Sequence, residues 1–218
     1  MGRLRHAPRV LLDRALAPRR HRQRAAVALA APVPDEPALF VYGHSFAADH
    51  PTTVTWPSIV GPALGLPVVN RAVGGDSVRQ TLQRALVHDD RPTTGDLVIV
   101  HAGINDVVRR GSLPGAAAAF RATLLEVVEQ LARRGAAVHV VGEPPLARWD
   151  LGRGLDLGSD EISAEFRALA LSIPGAIDLT AGWDATRMLQ DDHLHPNDAG
   201  TQAMAAAILA ALRSPASG

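Results

Sequence analysis

No cysteine occurs in the 218 residues of this chain, which excludes disulfides, thiolate catalysis and cysteine-based zinc sites. The absence carries no information about compartment. Lysine is missing too: all 22 basic residues are arginine, which together with abundant alanine fits a GC-rich genome better than any functional demand. Aromatic residues make up only 4%, too few for a base-stacking surface. The 22 acidic residues cancel the 22 basic ones, so no global field draws the chain to nucleic acid, anionic lipid or an acidic substrate. No apolar run approaches the roughly eighteen residues that a membrane span needs. What is present is 47% hydrophobic and 20% charged. That length and balance suit one α/β domain, burying roughly 70% of its unfolded surface.

The charge is uneven at the N-terminus. Residues 1–24 carry eight arginines against Asp13 alone, and Ala25 to Ala31 follow as a short apolar run. These are the elements of a signal peptide, yet the basic part is long and only Val27 and Leu29 are strong hydrophobes before Pro32. The preferred reading is a basic arm, docked or mobile, with a short amphipathic helix around Val10-Leu11-Leu12 and Ala15-Leu16. Pro32, Pro34 and Pro37 then make a linker. Residues 1–37 are set apart as arm and linker, and 38–218 as a single domain. A cytoplasmic location is expected, with export as the alternative.

After residue 37 apolar runs alternate with helix-period segments. Ala38–Tyr42, Leu66–Asn70, Asp96–His101, Ala136–Val141 and the weaker Ala176–Leu179 are continuous apolar runs, as strands covered on both faces require. Helices are expected over Ser77–His88, Pro114–Arg134, Ile162–Leu171 and Pro196–Leu212, the second with Phe120, Leu124, Val128 and Leu131 on one stripe and Gly135 as its cap. The alternation predicts a three-layer α/β/α sandwich on a parallel five-stranded sheet. Pro144 to Ser159 is too long for a simple connection and could be a lid.

Ligands of such sheets sit beyond the carboxyl ends of the strands, and four loops supply polar groups there. Ser45 follows the first strand, Gly75 the second and Asn105 the third, while Asp192 and His195 precede the last helix. A carboxylate beside an imidazole fixes its tautomer and stabilises the imidazolium that forms when the ring takes a proton, and Ser45 is the nucleophile such a pair needs. Each signal has a plainer explanation. Ser45 could be a helix cap, Gly74-Gly75-Asp76-Ser77 a tight turn, and Asn105-Asp106 simple turn chemistry. His193 and His195, flanked by Asp191 and Asp192, could hold a metal, although zinc would want a further ligand that the sequence does not single out. All four sites in this order favour catalysis.

The four segments resemble the motif blocks of the SGNH (GDSL-type) hydrolases, over about residues 38–212, and the resemblance implies that the parallel sheet is flavodoxin-like. Gly43-His44-Ser45 stands where that family has Gly-Asp-Ser, and Asn70-Arg71-Ala72-Val73-Gly74-Gly75 resembles its second block. Gly103-Ile104-Asn105-Asp106 and Asp192-His193-Leu194-His195 match the third and fourth. Trp56-Pro57 ahead of Leu64-Gly65-Leu66 looks like the helix these enzymes place between their first two strands. The resemblance implies a Ser45–His195–Asp192 triad and an oxyanion hole made of the Ser45 and Gly75 backbone N–H groups and the Asn105 amide. It implies neither metal nor organic cofactor.

Two positions depart from the pattern: His44 replaces Asp and Ala72 replaces a common Gly. His44 either packs with a structural hydrogen bond or touches substrate and tunes selectivity. Asp106 and Trp149 are further candidates for substrate contacts. The expected activity is hydrolysis of a small-molecule ester, either short-chain acyl or on acylated carbohydrate. An acyltransferase or thioesterase using the same residues is the alternative within enzymes, and a non-catalytic binding module is the alternative outside them. No nucleic-acid partner is expected.

Overall fold

The computed structural model describes residues 7–48, 54–87, 92–149 and 158–214. The five apolar runs form β1 (Leu39–Gly43), β2 (Val68–Asn70), β3 (Leu97–His101), β4 (Ala137–Gly142) and β5 (Ile177–Asp178). They pair in parallel in the order β2-β1-β3-β4-β5. The chain steps outward from β1 to β2, then crosses back to β3, so the topological switch lies between the carboxyl ends of β1 and β3. There Gly43 stands in register with His101.

The helices are α1 (Ala7–Ala30), α2 (Pro57–Leu64), α3 (Val78–Leu86), α4 (Ile104–Arg110), α5 (Ala116–Arg133), α6 (Asp160–Leu171), α7 (Ala185–Met188) and α8 (Asp198–Arg213). Alternate strand residues face opposite helical layers. Phe40, Tyr42, Val98, Val100 and Val140 pack with α3, α5 and α6 through Ala85, Phe120, Leu124, Leu131 and Phe166. Leu39, Val41, Ile99 and Val141 pack on the other face with Val60 of α2 and with Met204 and Ile208 of α8. Each such fully buried side chain stabilises the fold by roughly 1.5–3 kcal/mol. The two layers of side chains hold the strand ends rigidly, which matters because Ser45, Gly75 and Asn105 follow those ends.

Several elements differ from expectation. α1 is one continuous helix running to Ala30, with Pro18 inside it, rather than a short helix ending near Leu16. α4 and α7 were not anticipated, and α4 places Asn105 and Asp106 in a first helical turn instead of a loop. α8 starts two residues late: Pro196 forms an antiparallel bridge with Leu189. Asn197 is its N-cap and accepts from the Gly200 N–H at 3.0 Å. Half of the lid suggested for Pro144–Ser159 falls on residues 150–157, which lie outside the described residues, as do residues 49–53 in the loop after β1. No helix among the described residues is long and apolar enough to cross a membrane.

Candidate active site

Gly43 explains how Ser45 reaches the sheet edge. A Cβ on Gly43 would lie 2.2 Å from the His101 carbonyl oxygen, so only glycine allows β1 and β3 to approach this closely. The chain then turns, with the Ala47 and Ala48 N–H groups donating to the His44 carbonyl at 3.1 and 3.0 Å. This turn lifts half-buried Ser45 out of the sheet.

From the other side, the segment between α7 and α8 carries Asp192 and His195. The Gln190 N–H donates to the His195 carbonyl at 2.8 Å, and the Asn197 amide donates to the Arg187 and Leu189 carbonyls at 2.8 and 3.0 Å. His193 takes a left-handed φ of 57° inside this tight loop. Asp192 Oδ1 accepts from the Leu194 and His195 N–H groups at 3.0 and 2.9 Å, and its Oδ2 lies 2.6 Å from His195 Nδ1. His195 Nε2 lies 2.9 Å from Ser45 Oγ. The carboxylate accepts the Nδ1 proton, which leaves Nε2 as the acceptor for the serine hydroxyl. Partial burial pushes the Asp192 carboxyl up, but the His195 ring and the two backbone donors outweigh it and hold it below its usual range. The three residues expected to form a triad are therefore in hydrogen-bonding sequence across 150 residues of chain.

The segment that carries Gly75 runs beside Ser45, and Asn105 is tied to its next residue, Asp76. Neither the Ser45 nor the Gly75 backbone N–H has an acceptor among the described residues. Gly75 sits at φ 91°, and a Cβ on the preceding Gly74 would lie 3.6 Å from the Ser45 Cβ. The Asn105 amide donates one hydrogen to the Asp76 carbonyl at 2.9 Å, and its second hydrogen remains to be used.

Three residues expected to touch substrate are engaged in contacts within the protein. His44 is 0% exposed and does not line the cavity at Ser45; its ring packs behind the nucleophile. Asp106 is buried and accepts from the Val78 N–H at 2.8 Å, satisfying the first turn of α3 from α4. Burial pushes the Asp106 carboxyl up to about 6. Trp149 donates to Asp160 Oδ1 at 2.8 Å, fixing the start of α6, and is also absent from the cavity wall.

Behind Ser45 lies a cluster that sequence reasoning missed. His44 Nε2 is 2.6 Å from Glu143 Oε1, and His101 Nε2 is 3.2 Å from Glu143 Oε2. The Phe46 N–H donates to His44 Nδ1 at 3.4 Å and the Trp56 indole N–H to His101 Nδ1 at 3.3 Å. Each Nδ1 is thus an acceptor, which makes each Nε2–H a donor to the carboxylate. The Ile104 N–H is a third donor to it, at 3.0 Å. Burial pushes the Glu143 carboxyl up, but the two imidazoles outweigh it and keep it ionised, below the usual carboxylate range. Burial likewise lowers the His44 pKa and keeps that ring neutral. The three side chains offer a metal-like donor geometry, with ligand atoms within 4.8 Å of one another, but their own hydrogen bonds already use every one of those atoms. A charged residue ending the apolar run of β4 was the available signal for Glu143.

The cavity over Ser45 and His195 has a volume of about 600 Å³. Phe46, Ala72 and Val73 form an apolar part, and Asn70 and Gln190 a polar part. Arg24, Val27 and Ala28 of α1 close it from one side.

A serine–histidine–aspartate chain at the switch point of a parallel sheet defines a hydrolase-type site. The model of the GDSL-like lipase/acylhydrolase family matches residues 40–203, and the chain belongs to that family. Solved structures share its fold. A lipase/acylhydrolase from Enterococcus faecalis is 19% identical, with a TM-score of 0.63 over 84% of this chain and 99% of that one. The acetylxylan esterase Axe2 from Geobacillus stearothermophilus is 21% identical, with a TM-score of 0.58 over 83% and 95%. A Streptococcus pneumonia structure named for a platelet activating factor is 17% identical, with a TM-score of 0.70 over 93% and 97%. No curated protein matches the sequence.

Proposed function

We propose that the protein hydrolyses carboxylic esters through a Ser45–His195–Asp192 triad and an acyl-enzyme. The observation that carries this reading is the continuous hydrogen-bond path from Ser45 Oγ to His195 Nε2 and from His195 Nδ1 to Asp192. Ser45 Oγ attacks the ester carbonyl while His195 Nε2 takes its proton. The tetrahedral oxyanion is held by the Ser45 and Gly75 N–H groups and the free hydrogen of the Asn105 amide. The intermediate collapses as His195 returns the proton to the leaving alcohol. Water then attacks the acyl-enzyme, again giving a proton to His195, and the acid departs as Ser45 recovers its hydrogen. A protonated His195 cannot start this cycle, so activity falls at acid pH.

The cavity supports a substrate class. A volume near 600 Å³ with apolar and polar walls suits a short acyl chain or an acetylated carbohydrate rather than a long lipid chain. The acetylxylan esterase among the structural neighbours is compatible with this choice. The test is hydrolysis of p-nitrophenyl esters of increasing chain length, wild type against Ser45→Ala. Turnover that peaks at two to four carbons and is lost in the variant supports the reading. Turnover that survives in Ser45→Ala rejects the triad, and a peak at long chains rejects the substrate class.

A further inference from the structure

We infer that α1 completes the substrate site with an anion-binding subsite, so that the preferred esters carry a carboxylate, phosphate or similar oxyanion away from the scissile bond. This rests on the esterase reading above and adds a substrate feature to it.

α1 is fastened to the catalytic face at two points. His21 Nε2 lies 2.6 Å from Asp76 Oδ1, and the Arg71 guanidinium donates to the carbonyls of Ala28 and, at 3.0 Å, Ala31. A cation on the last carbonyls of a helix satisfies groups that have no partner inside it and complements the helix dipole. Both anchors belong to the segment Asn70–Asp76 that also presents Gly75. The match to the Streptococcus structure spans 93% of this chain, more than residues 38–218 can supply, so the shared fold extends into this N-terminal segment.

Once docked, the helix carries positive charge to a defined place. A second cavity of about 430 Å³ lies across Gly74 from the first, and Arg24 and Gly74 line both. His21, Arg22, Arg109 and Gly75 contribute to it, and no carboxylate among the described residues does. Asp106 and Asp76 are the acidic groups that act on Arg109 from beneath; both are buried, Asp106 accepts from the Val78 N–H, and Asp76 has both oxygens engaged by His21 and Arg84. Arg109 donates one N–H to the Gly75 carbonyl at 2.8 Å, which leaves the rest of its fork. Arg24 makes no hydrogen bond or ion pair among the described residues, although its guanidinium comes within 3.6 Å of the Cβ position on Gly74. Three arginines around one hollow next to the oxyanion donors, in a chain of zero net charge, form a local site for an oxyanion that planar guanidinium groups bind through paired hydrogen bonds. A substrate held there by its anion would reach Ser45 past Gly74 and Arg24, which line both cavities.

The test uses two matched pairs of esters. Mono-4-nitrophenyl glutarate and its methyl ester place the charge on the acyl side. 4-Acetoxy-3-nitrobenzoate and its methyl ester place it on the alcohol side. The expected result is a kcat/KM for one anionic member about tenfold above its neutral partner, carried by KM, eroded by 0.5 M salt, and brought toward a ratio of one by Arg24→Gln. A ratio near one for both pairs in the wild type, or one that Arg24→Gln leaves in place, overturns the proposal. If the wild type turns over no ester at all, the esterase reading fails, and the subsite is then read by calorimetric titration with glutarate and with inorganic phosphate. Saturable binding that weakens in Arg24→Gln supports the subsite, and no binding overturns it.

Discussion

Two histidine–carboxylate pairs flank Ser45, each closed at 2.6 Å, and they are built for opposite purposes. In His195–Asp192 the side chains are 36% and 49% exposed; in His44–Glu143 they are 0% and 4% exposed. The outer ring hydrogen-bonds a hydroxyl and an ionised carboxylate, and in the proposed mechanism it takes the hydroxyl proton and later releases it. The inner ring has both nitrogens engaged by groups that do not move, a backbone N–H and a buried carboxylate. The contact distance is the same, and exposure together with the second partner decides whether a pair works as a proton carrier or as a strut. The strut ties together the ends of β1, β3 and β4, the platform from which Ser45 and Asn105 project.

The contrast yields separable outcomes. Asp192→Asn frees His195 to adopt the wrong tautomer and lowers kcat by about 10⁴, while melting temperature hardly moves because the site is exposed. Glu143→Ala does the reverse: it strips three donors of their acceptor and costs about 3–5 kcal/mol in urea unfolding, with the remaining folded enzyme still labelled at Ser45. His44→Asp sets a second carboxylate against Glu143 in a buried site. It therefore lowers stability by a comparable amount without shifting ester selectivity, and a shifted chain-length profile would return His44 to the substrate site. Asn105→Ala removes one oxyanion donor and lowers kcat about 10²–10³-fold with KM little changed.

The smallest effect is on pH dependence. The folded state holds the Asp106 proton up to about pH 6, against an ordinary 3.8, so this residue favours folding in acid and its contribution is lost as pH rises through 6. His44 acts in the opposite sense. Its pKa is lowered by burial, so below about pH 6.5 the unfolded chain takes up a proton that the folded ring resists, and stability falls with pH. The two slopes partly cancel in the wild type. Asp106→Asn leaves the His44 slope unopposed, and thermal unfolding between pH 7 and 5 should then decline more steeply by about 1–2 kcal/mol. An unchanged profile would reject the assignment.

What the sequence revealed follows from which interactions are local. Strands such as Leu97–His101 are legible because burial on both faces demands an unbroken apolar run. Asp192 and His195 are legible because three residues in one loop bring a carboxylate to a ring. α4 was hidden because its seven residues, with Val107-Val108 followed by Arg109-Arg110, show no amphipathic period. The inner cluster was hidden for another reason: Glu143 meets residues 99 and 42 positions away, a distance only the sheet register closes. The docking of α1 was equally out of reach, since its anchors, Arg71 and Asp76, look like ordinary loop charges until the fold sets them under the helix.

The most direct measurement is labelling with a fluorophosphonate, followed by peptide mass analysis, on wild type, Ser45→Ala and Glu143→Gln. The account predicts a single adduct on the Ser45 peptide of the wild type, none in Ser45→Ala, and an adduct in whatever fraction of Glu143→Gln remains folded. An adduct on another residue, or none on a well-folded wild type, would contradict the assignment of Ser45 as the activated nucleophile.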